Sequence, residues 1–413
     1  MNFKTIRMKN ILILVFVFTT QIITSQNYKE LTPEEKEGDL NYLIEVLKNN
    51  YPYFDRYECT YGKSWLSQKD LFLEKVRNSK DNENYLVQLD SIIKSLHDKE
   101  VDLAPTYYWD HFRTKYGEAY FMNPGYTPWV NTLNQSQKEM PYWSNLLKKE
   151  NIKTTVNNND LQYKDSLVRS PEIGIMRIPS FDTECITNTF QRINEFLYLV
   201  NSYDYLIIDI QGNKGGSSSF WMDGIVSRLI QTPVNFNRHF AIKKGTINYL
   251  FFSRYLNNIS GIIPSSLPSL PLEFSEQNFK LVEETTTIQP FLPIPFKGEI
   301  ILLTDSAVFS AADEFASFAK SSSWATIAGE TTGGGGIGSD AVLVRLPASG
   351  IIVRYPALAG LNSNGSLHRV DKTTPDIEIK GSNADERLNN LINKLNNRHL
   401  LMVQLSENKS PYE

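Results

Sequence analysis

The sequence predicts an α/β protein with a mainly parallel sheet and a small helical domain at its N-terminal end. Apolar runs at 205–210 and 300–303 have the length of strands, and helical patterns lie between and after them. This strand–helix–strand alternation is typical of parallel sheets. Both runs are almost continuously apolar, as expected of strands that are buried on both faces. Residues 26–105, in contrast, show helical patterns.

The composition is that of a folded globular protein. Of the 413 residues, 41% are hydrophobic, 12% aromatic and 21% charged, which excludes a disordered, collagen-like or coiled-coil chain. The 42 basic and 46 acidic side chains leave a net charge of −4, which argues against a nucleic-acid partner. Two cysteines without a Cys/His cluster indicate neither a disulfide framework nor a zinc site. We therefore predict no metal and no cofactor.

Residues 1–25 are predicted to be a signal peptide. Three basic residues begin the segment: Lys4, Arg7 and Lys9. The apolar run 11–18 follows and is too short to span a bilayer, and Ser25 supplies a small residue at the expected cleavage site. An N-terminal anchor that is not cleaved is the alternative. Cleavage changes the net charge from −4 to −7 and leaves no integral membrane segment.

We therefore expect an exported protein, either periplasmic or extracellular. Disulfides form in such compartments. Cys59 and Cys185 could pair there, and two unpaired thiols are the equally plausible alternative.

Residues 26–105 are predicted to form the N-terminal helical domain. Thr32, Pro33 and Glu35 have the pattern of a capping box with proline at the first helical position. This helix is expected to end at Pro52, and a second helix is expected at 85–96. The following residues, 106–170, are rich in Tyr, Trp, Asn and Pro without a clear period. We interpret them as an irregular connecting region.

Residues 171–380 are predicted to form the α/β core, with an insertion at 231–295 that is rich in Pro and Phe. A C-terminal helix and tail occupy 381–413. The predicted core elements are, in order, a strand at 173–178, a helix at 188–200, a strand at 205–210, a helix at 221–229, a strand at 300–303, a helix at 311–320 and a strand at 325–328.

Three loops that follow strands could carry chemistry. The first, 209–216, reads DIQGNKGG; its glycines allow a tight turn that presents backbone N–H groups to a ligand. The second, 304–314, places Ser310 before a helix, where the N–H groups and the helix dipole stabilise negative charge. The third, 329–336, contains four consecutive glycines.

Each loop also has a purely structural interpretation. The first could be a plain strand-to-helix turn, and the third a flexible hairpin. Ser310 could be the N-cap of its helix, with Asp313 in the first helical turn.

In this order, DIQGNKGG, SAADEF and GETTGG resemble motifs of the tail-specific, or C-terminal processing, serine peptidase family, whose core is shared by the tricorn protease. The segments IGIMRIPSF and TPDIEI resemble the first and last strands of that core. The resemblance covers roughly residues 171–380, about half the chain. It implies a ClpP/crotonase-like fold and an exported serine-type peptidase, a hydrolase acting on peptide or protein substrates. No PDZ domain is recognisable.

The resemblance also implies roles for individual residues. Ser310 falls on the nucleophile of the family. The N–H of Ala311 and a glycine N–H from Gly215 or Gly216 would form the oxyanion hole. An extended peptide would then bind along a sheet edge.

The residue that accepts the proton of the serine departs from the family pattern. One branch places a lysine where this chain has Gly335. The tricorn-like branch uses a D-x-H pattern, and the comparable residues here, 98–101, read DKEV, with Glu100 in place of histidine. That branch also uses an acidic residue before the last strand, where this chain has His368 and Arg369, with Asp371 just after them.

Three residues could replace the missing base: His97, His368 and Glu100. A serine without a base is a poor nucleophile. The alternative function is therefore a catalytically impaired pseudo-peptidase that binds peptides in the same groove.

Overall fold

The computed structural model of the protein describes residues 28–104, 106–148, 162–182, 186–256 and 267–407. The predicted signal peptide and Cys185 lie outside the described residues. Cys59 is an exposed, free thiol.

The helices lie at both ends of the chain and between the strands. They are α1 (Pro33–Asn50), α2 (Phe54–Tyr61), α3 (Lys69–Arg77), α4 (Asn82–Lys94), α5 (Thr106–Met122), α6 (Thr127–Gln135), α7 (Met140–Lys148), α8 (Ile186–Leu199), α9 (Ser218–Trp221), α10 (Ser227–Leu229), α11 (Thr246–Leu256), α12 (Ala311–Ser321), α13 (His368–Asp371) and α14 (Ala384–Glu407). A π-helical segment, Met222–Val226, joins α9 to α10.

The strands in the described part of the chain form three sheets. They are β1 (Asp102–Leu103), β2 (Lys164–Arg169), β3 (Glu172–Arg177), β4 (Tyr205–Asp209), β5 (Val234–Lys243), β6 (Phe279–Ile288), β7 (Glu299–Thr304), β8 (Thr326–Gly329), β9 (Val342–Arg345), β10 (Ile352–Tyr355), β11 (Leu358–Leu361) and β12 (Ile377–Glu378).

The largest sheet has six strands in the order β12-β8-β7-β4-β3-β2. All neighbouring pairs from β3 to β12 are parallel, and only β2 pairs antiparallel, with β3. At the centre of this sheet, the strand register places Ile207 of β4 between Ile175 of β3 and Ile301 of β7. The predicted α/β class with a mainly parallel sheet is confirmed.

Apolar side chains cover both faces of this sheet, which explains the continuous apolar runs. Leu206 and Ile208 of β4 pack with α8, α9 and α12 in one core. Ile207 of the same strand faces the opposite core, with Leu391 and Leu395 of α14. The sheet therefore holds the carboxyl ends of β4, β7 and β8 at one edge, where the three glycine- and serine-containing loops begin.

The N-terminal helices share a core with later parts of the chain. Both hydrogen bonds of the predicted capping box at Thr32 and Glu35 are present at the start of α1. Buried side chains of α1 and α4 belong to one cluster with those of β5, β9, β10 and β11. The buried Asp39 of α1 accepts hydrogen bonds from the backbone N–H groups of Ala348 and Ser349, at 2.7 and 2.9 Å.

The prediction of an irregular region at 106–170 was wrong. The chain forms α5, α6 and α7 there, followed by β2. Phe112 and Tyr116 in α5 and Trp129 and Leu133 in α6 are buried and recur every four residues. An aromatic side chain covers a core as well as leucine does, so a search for aliphatic periodicity misses such helices.

The insertion at 231–295 contains regular structure. Its strands β5 and β6 pair antiparallel over ten residues, from Val234–Ile288 to Lys243–Phe279. Strand β11 adds to the other edge of β5. The described part of this insertion thus contributes a second sheet, which lies in the core shared with the N-terminal helices.

Candidate active site

Ser310 lies at the first turn of α12 in a strained backbone conformation. Its φ of 54° and ψ of −129° belong to a region that residues with a Cβ rarely adopt. Such a conformation costs about 1–3 kcal/mol and persists only where surrounding structure enforces it. The Ser310 side chain makes no capping hydrogen bond to α12. The interpretation of Ser310 as a side-chain N-cap is therefore not supported.

The three loops meet around Ser310. The Ser310 N–H donates to the carbonyl of Gly334, at 3.2 Å, and the Phe309 N–H donates to the carbonyl of Asn213, at 3.0 Å. A further backbone bond of 2.7 Å joins the Gly333 N–H to Val308. The serine loop is thus fixed between the two glycine loops, and the parallel sheet brings all three to one edge.

Two backbone N–H groups near Ser310 are free to stabilise an oxyanion. Among the described residues, the N–H groups of Gly216 and Ala311 have no hydrogen-bond partner. Both residues line a cavity of about 360 Å³ together with Ser310. Gly215 was predicted as the alternative glycine donor, but its N–H donates to Asn213 Oδ1 at 2.8 Å and is not available.

Gly215 has a different role, which is to allow close approach. Its φ is 96°, and a Cβ placed on it would lie 2.9 Å from the nitrogen of Ala311 and from Cβ of Ser310. Only glycine fits between the first loop and the serine without displacing one of them. The predicted glycine loop therefore brings its backbone against Ser310.

His368 opens α13 and lines a second cavity beside Ser310, of about 410 Å³. The ring is only 1% exposed. Its Nε2 lies 2.6 Å from Asp313 Oδ2, and its Nδ1 lies 2.8 Å from Asn362 Oδ1. Neither ring nitrogen is free to accept a proton from Ser310 in this arrangement.

Asp313 anchors this histidine. The carboxylate also accepts hydrogen bonds from Thr332 Oγ1 at 2.5 Å and from the N–H of Gly336 at 2.7 Å. Burial by itself would raise the pKa of Asp313, but His368 and the other donors outweigh it and lower the pKa below its usual value. Asp313 is therefore a charged, fully buried carboxylate that ties the helix after Ser310 to α13.

Glu100 also lines the larger cavity, in an ion pair with Arg369. A guanidinium N–H of Arg369 donates to Glu100 Oε2, and Nη1 lies 2.5 Å from Oδ2 of Asp98. The guanidinium stacks on the ring of Tyr53, with its carbon 4.4 Å from the centroid. Burial raises the pKa of Glu100, and the charge of Arg369 opposes this shift.

His97 lies elsewhere. It is exposed, has a φ of 54°, and its ring packs against Tyr61 and Tyr57 of α2 at centroid distances of 4.8 and 6.5 Å. It does not line either cavity beside Ser310. Of the three candidate bases, the structure thus brings His368 and Glu100 to the site.

Sequence reasoning missed the part played by Arg369. It stands beside His368, and its position was noted only as the place of a missing acid. The available signal was charge: the resemblance places Glu100 and Arg369 near the same site, and side chains of opposite charge there can form the ion pair that the structure shows.

Gly335, in place of the family lysine, leaves no room for a side chain. A Cβ there would lie 2.8 Å from the Phe309 ring and 3.2 Å from Glu100 Oε1.

Across the described ranges, no group of three or more His, Cys, Asp or Glu side chains could hold a metal. No helix in the described part of the chain is long and apolar enough to cross a membrane.

The fold and the serine loop define a class of protein: an α/β protein with a strained serine before a helix, at the carboxyl ends of a parallel sheet. The family model for peptidase family S41 matches residues 172–379, and the chain belongs to this family. The resemblance found in the sequence is thereby confirmed. Family membership supports a peptidase function, and thus a hydrolase acting on peptide or protein substrates.

Solved structures with TM-scores above 0.5 share this fold at low sequence identity. Mature CPAF complexed with lactacystin is 15% identical with a TM-score of 0.56, over 91% of this chain and 99% of that one. A protein of Parabacteroides merdae, provisionally named a peptidase, is 17% identical with a TM-score of 0.53, over 86% and 93%. The photosystem II D1 C-terminal processing protease is 12% identical with a TM-score of 0.44, over 85% and 96%. Comparison with curated protein sequences gave no match.

Proposed function

We propose that the protein is an exported serine-type peptidase with Ser310 as its nucleophile. The observation that carries this proposal is the strained backbone of Ser310 beside two unpaired N–H groups, those of Gly216 and Ala311. Strain of this kind is maintained where the geometry serves a function. A serine that only ended a loop would not require this strained backbone conformation.

Ser310 Oγ attacks the carbonyl carbon of the scissile peptide bond. The carbonyl oxygen becomes an oxyanion, which the N–H groups of Gly216 and Ala311 stabilise. The N-terminus of α12 adds its positive partial charge at the same point. Each preorganised donor of this kind contributes about 3–4 kcal/mol to the stabilisation of the transition state. When the intermediate collapses, the C–N bond breaks and the departing amine takes up the proton that Ser310 gave to the base. Water then hydrolyses the acyl-enzyme and restores the Ser310 hydroxyl.

Glu100 is the candidate base. It lines the same cavity as Ser310, and burial raises its pKa, which makes a carboxylate a better proton acceptor. Its pairing with Arg369 must loosen for this to happen. His368 is the weaker candidate because Asp313 and Asn362 hold both of its ring nitrogens.

The same contacts favour a second candidate, the pseudo-peptidase. The Glu100–Arg369 ion pair and the buried His368–Asp313 pair satisfy the groups that would otherwise activate Ser310. In that case the groove binds peptides without cleaving them, and the N–H groups of Gly216 and Ala311 donate hydrogen bonds to the carbonyl oxygen of a bound peptide.

One experiment separates the two candidates. The purified protein is treated with a fluorophosphonate probe and with unstructured peptides. A peptidase reacts at Ser310 and cleaves the peptides, and Ser310→Ala abolishes both reactions without changing the melting temperature. Ser323→Ala is the matched control, because Ser323 also has a positive φ, 53°, but does not line the cavities. Peptide binding without labelling or cleavage supports the pseudo-peptidase.

Export rests on the N-terminal sequence, with its basic residues, apolar run and small residue at position 25. We expect the mature protein to begin at Gln26 and to be found in the periplasmic or extracellular fraction. Mass determination of its N-terminal peptide tests this. A chain that still carries Lys4 and stays with the membrane fraction indicates an uncleaved anchor instead.

A further inference from the structure

We propose that the larger cavity beside Ser310 binds a carboxylate of the substrate through Lys99 and Lys214. This inference rests on the proposed peptide groove and names the chemistry that the groove prefers. The cavity has a volume of about 410 Å³, and both lysines line it together with Ser310.

Most charged groups of the larger cavity neutralise each other. Three cations lining it pair with the three carboxylates that line it: Arg354 with Asp102, Lys115 with Asp340, and Arg369 with Glu100. The Lys115–Asp340 contact measures 2.9 Å, and Arg354 holds Asp102 through two nitrogens at 2.5 and 2.7 Å. These pairs leave no carboxylate of the described lining residues for a further cation.

Lys99 and Lys214 are the cations that remain. Within the described part of the chain, neither forms an ion pair with a carboxylate. Lys214 Nζ donates only to the carbonyl of Ala307, at 3.1 Å. Lys99 precedes Glu100, and Lys214 precedes Gly215, so the two lysines belong to different loops that border the cavity. An acidic group that enters the cavity therefore meets two uncompensated positive charges.

The smaller cavity on the oxyanion side has a different charge balance. Its Arg238 is occupied by two carboxylates, with Nη1 2.6 Å from Glu314 Oε1 and Nη2 2.5 Å from Glu284 Oε2. Lys115 of this cavity is likewise paired, with Asp340, so its described lining residues offer no cationic side chain without a carboxylate partner to an acidic group. The two unpaired lysines lie in the larger cavity, and a peptide with an acidic group is therefore expected to bind in one direction.

Both lysines are exposed, so the preference is moderate in size. Exposed ion pairs are screened by water and salt. We expect an acidic peptide to bind roughly five-fold tighter than its neutral counterpart at low salt, with the difference falling as salt rises through about 0.5 M.

The test measures binding, so that it does not depend on turnover. The Ser310→Ala protein is titrated with fluorescein-labelled ten-residue peptides of Ala, Ser and Gly. One series carries a single Glu or Gln at successive positions, and a second compares a free C-terminal carboxylate with a C-terminal amide. Tighter binding of Glu than Gln peptides in the first arm indicates recognition of an acidic side chain. Tighter binding of the free carboxylate than the amide in the second arm indicates recognition of a C-terminal chain end.

We expect tighter binding in one of the two arms, and loss of this preference in Lys99→Met and Lys214→Met. Lys75→Met is the matched control, since Lys75 is exposed on α3 away from both cavities. Equal binding of charged and neutral peptides in both arms overturns the inference and leaves the peptide groove intact. If no peptide binds in either arm, the proposed groove itself is overturned.

Discussion

The two sides of the candidate active site differ in what they are built from. On the nucleophile side, the proposed chemistry relies on backbone groups: the strained backbone of Ser310 and the unpaired N–H groups of Gly216 and Ala311. On the base side, ionisable side chains would provide it, and Glu100 and His368 are both engaged with other partners. Backbone geometry is held by the whole sheet, whereas one substitution changes a side chain. The base side of the site can therefore diverge while the nucleophile side stays intact.

The strongest test of the nucleophile side is Gly215→Ala. A Cβ at this position, with φ at 96°, would displace the N–H of Ala311 or the Ser310 side chain. We expect fluorophosphonate labelling and peptide cleavage to fall about 10³-fold, since the oxyanion hole loses its alignment. Gly38→Ala is the control, because no atom lies within 4 Å of the new Cβ. Retained activity in Gly215→Ala would show that the close approach does not position the oxyanion hole.

The base side is tested by Glu100→Gln. If Glu100 takes the proton from Ser310, cleavage falls about 10²-fold, the usual contribution of a general base. Arg369→Met supplies the companion measurement. Without the arginine the pKa of Glu100 rises further, because Arg369 opposes the effect of burial, so the acid limb of the pH–rate profile moves to higher pH. An unchanged pH profile in Arg369→Met would exclude Glu100 as the base.

Asp209 tests the structural support of the nucleophile side rather than its proposed chemistry. This carboxyl lies at the end of β4, and burial raises its pKa to about 6. The folded state then binds the proton more tightly than the unfolded state, so the free energy of unfolding decreases as pH rises from about 4 to 6.

In Asp209→Asn this decrease should become smaller by up to about 3 kcal/mol, at about 1.4 kcal/mol per pKa unit. Urea denaturation at pH 4, 5 and 6 measures it, with Asp376→Asn as an exposed control near the same sheet. The same slope in both variants would contradict the assigned pKa.

The smallest expected effect concerns the strain at Ser310. Ser310→Gly removes the Cβ that makes a φ of 54° unfavourable. We expect the free energy of unfolding to rise by about 1 kcal/mol, after the higher entropy of unfolded glycine is subtracted, while labelling is lost. Ser310→Ala keeps the Cβ and should not be stabilised. Equal stability of the two variants would show that Ser310 carries no strain.

Much of the fold was predictable because its signals are local. The capping box at Thr32, the apolar runs of β4 and β7, and the small-residue helix after Ser310 follow from the chemistry of neighbouring residues. Helices α5 to α7 were missed because their buried face is aromatic. The pairing of β5 with β6 was also not predicted, because the strands are separated by 35 residues that include a proline-rich stretch.

By itself, the sequence determined the order of the three loops and the position of Ser310, and its resemblance to the family predicted that Glu100 and Gly335 stand where histidine or lysine is expected. These are statements about residue types along the chain. Only the tertiary structure decided three contacts. The Gly215 N–H donates to the Asn213 side chain, the His97 ring packs against Tyr61 of α2, and Arg369 forms an ion pair with Glu100. Each of these depends on residues that are distant in sequence or on the direction of one N–H bond, and a residue pattern contains neither.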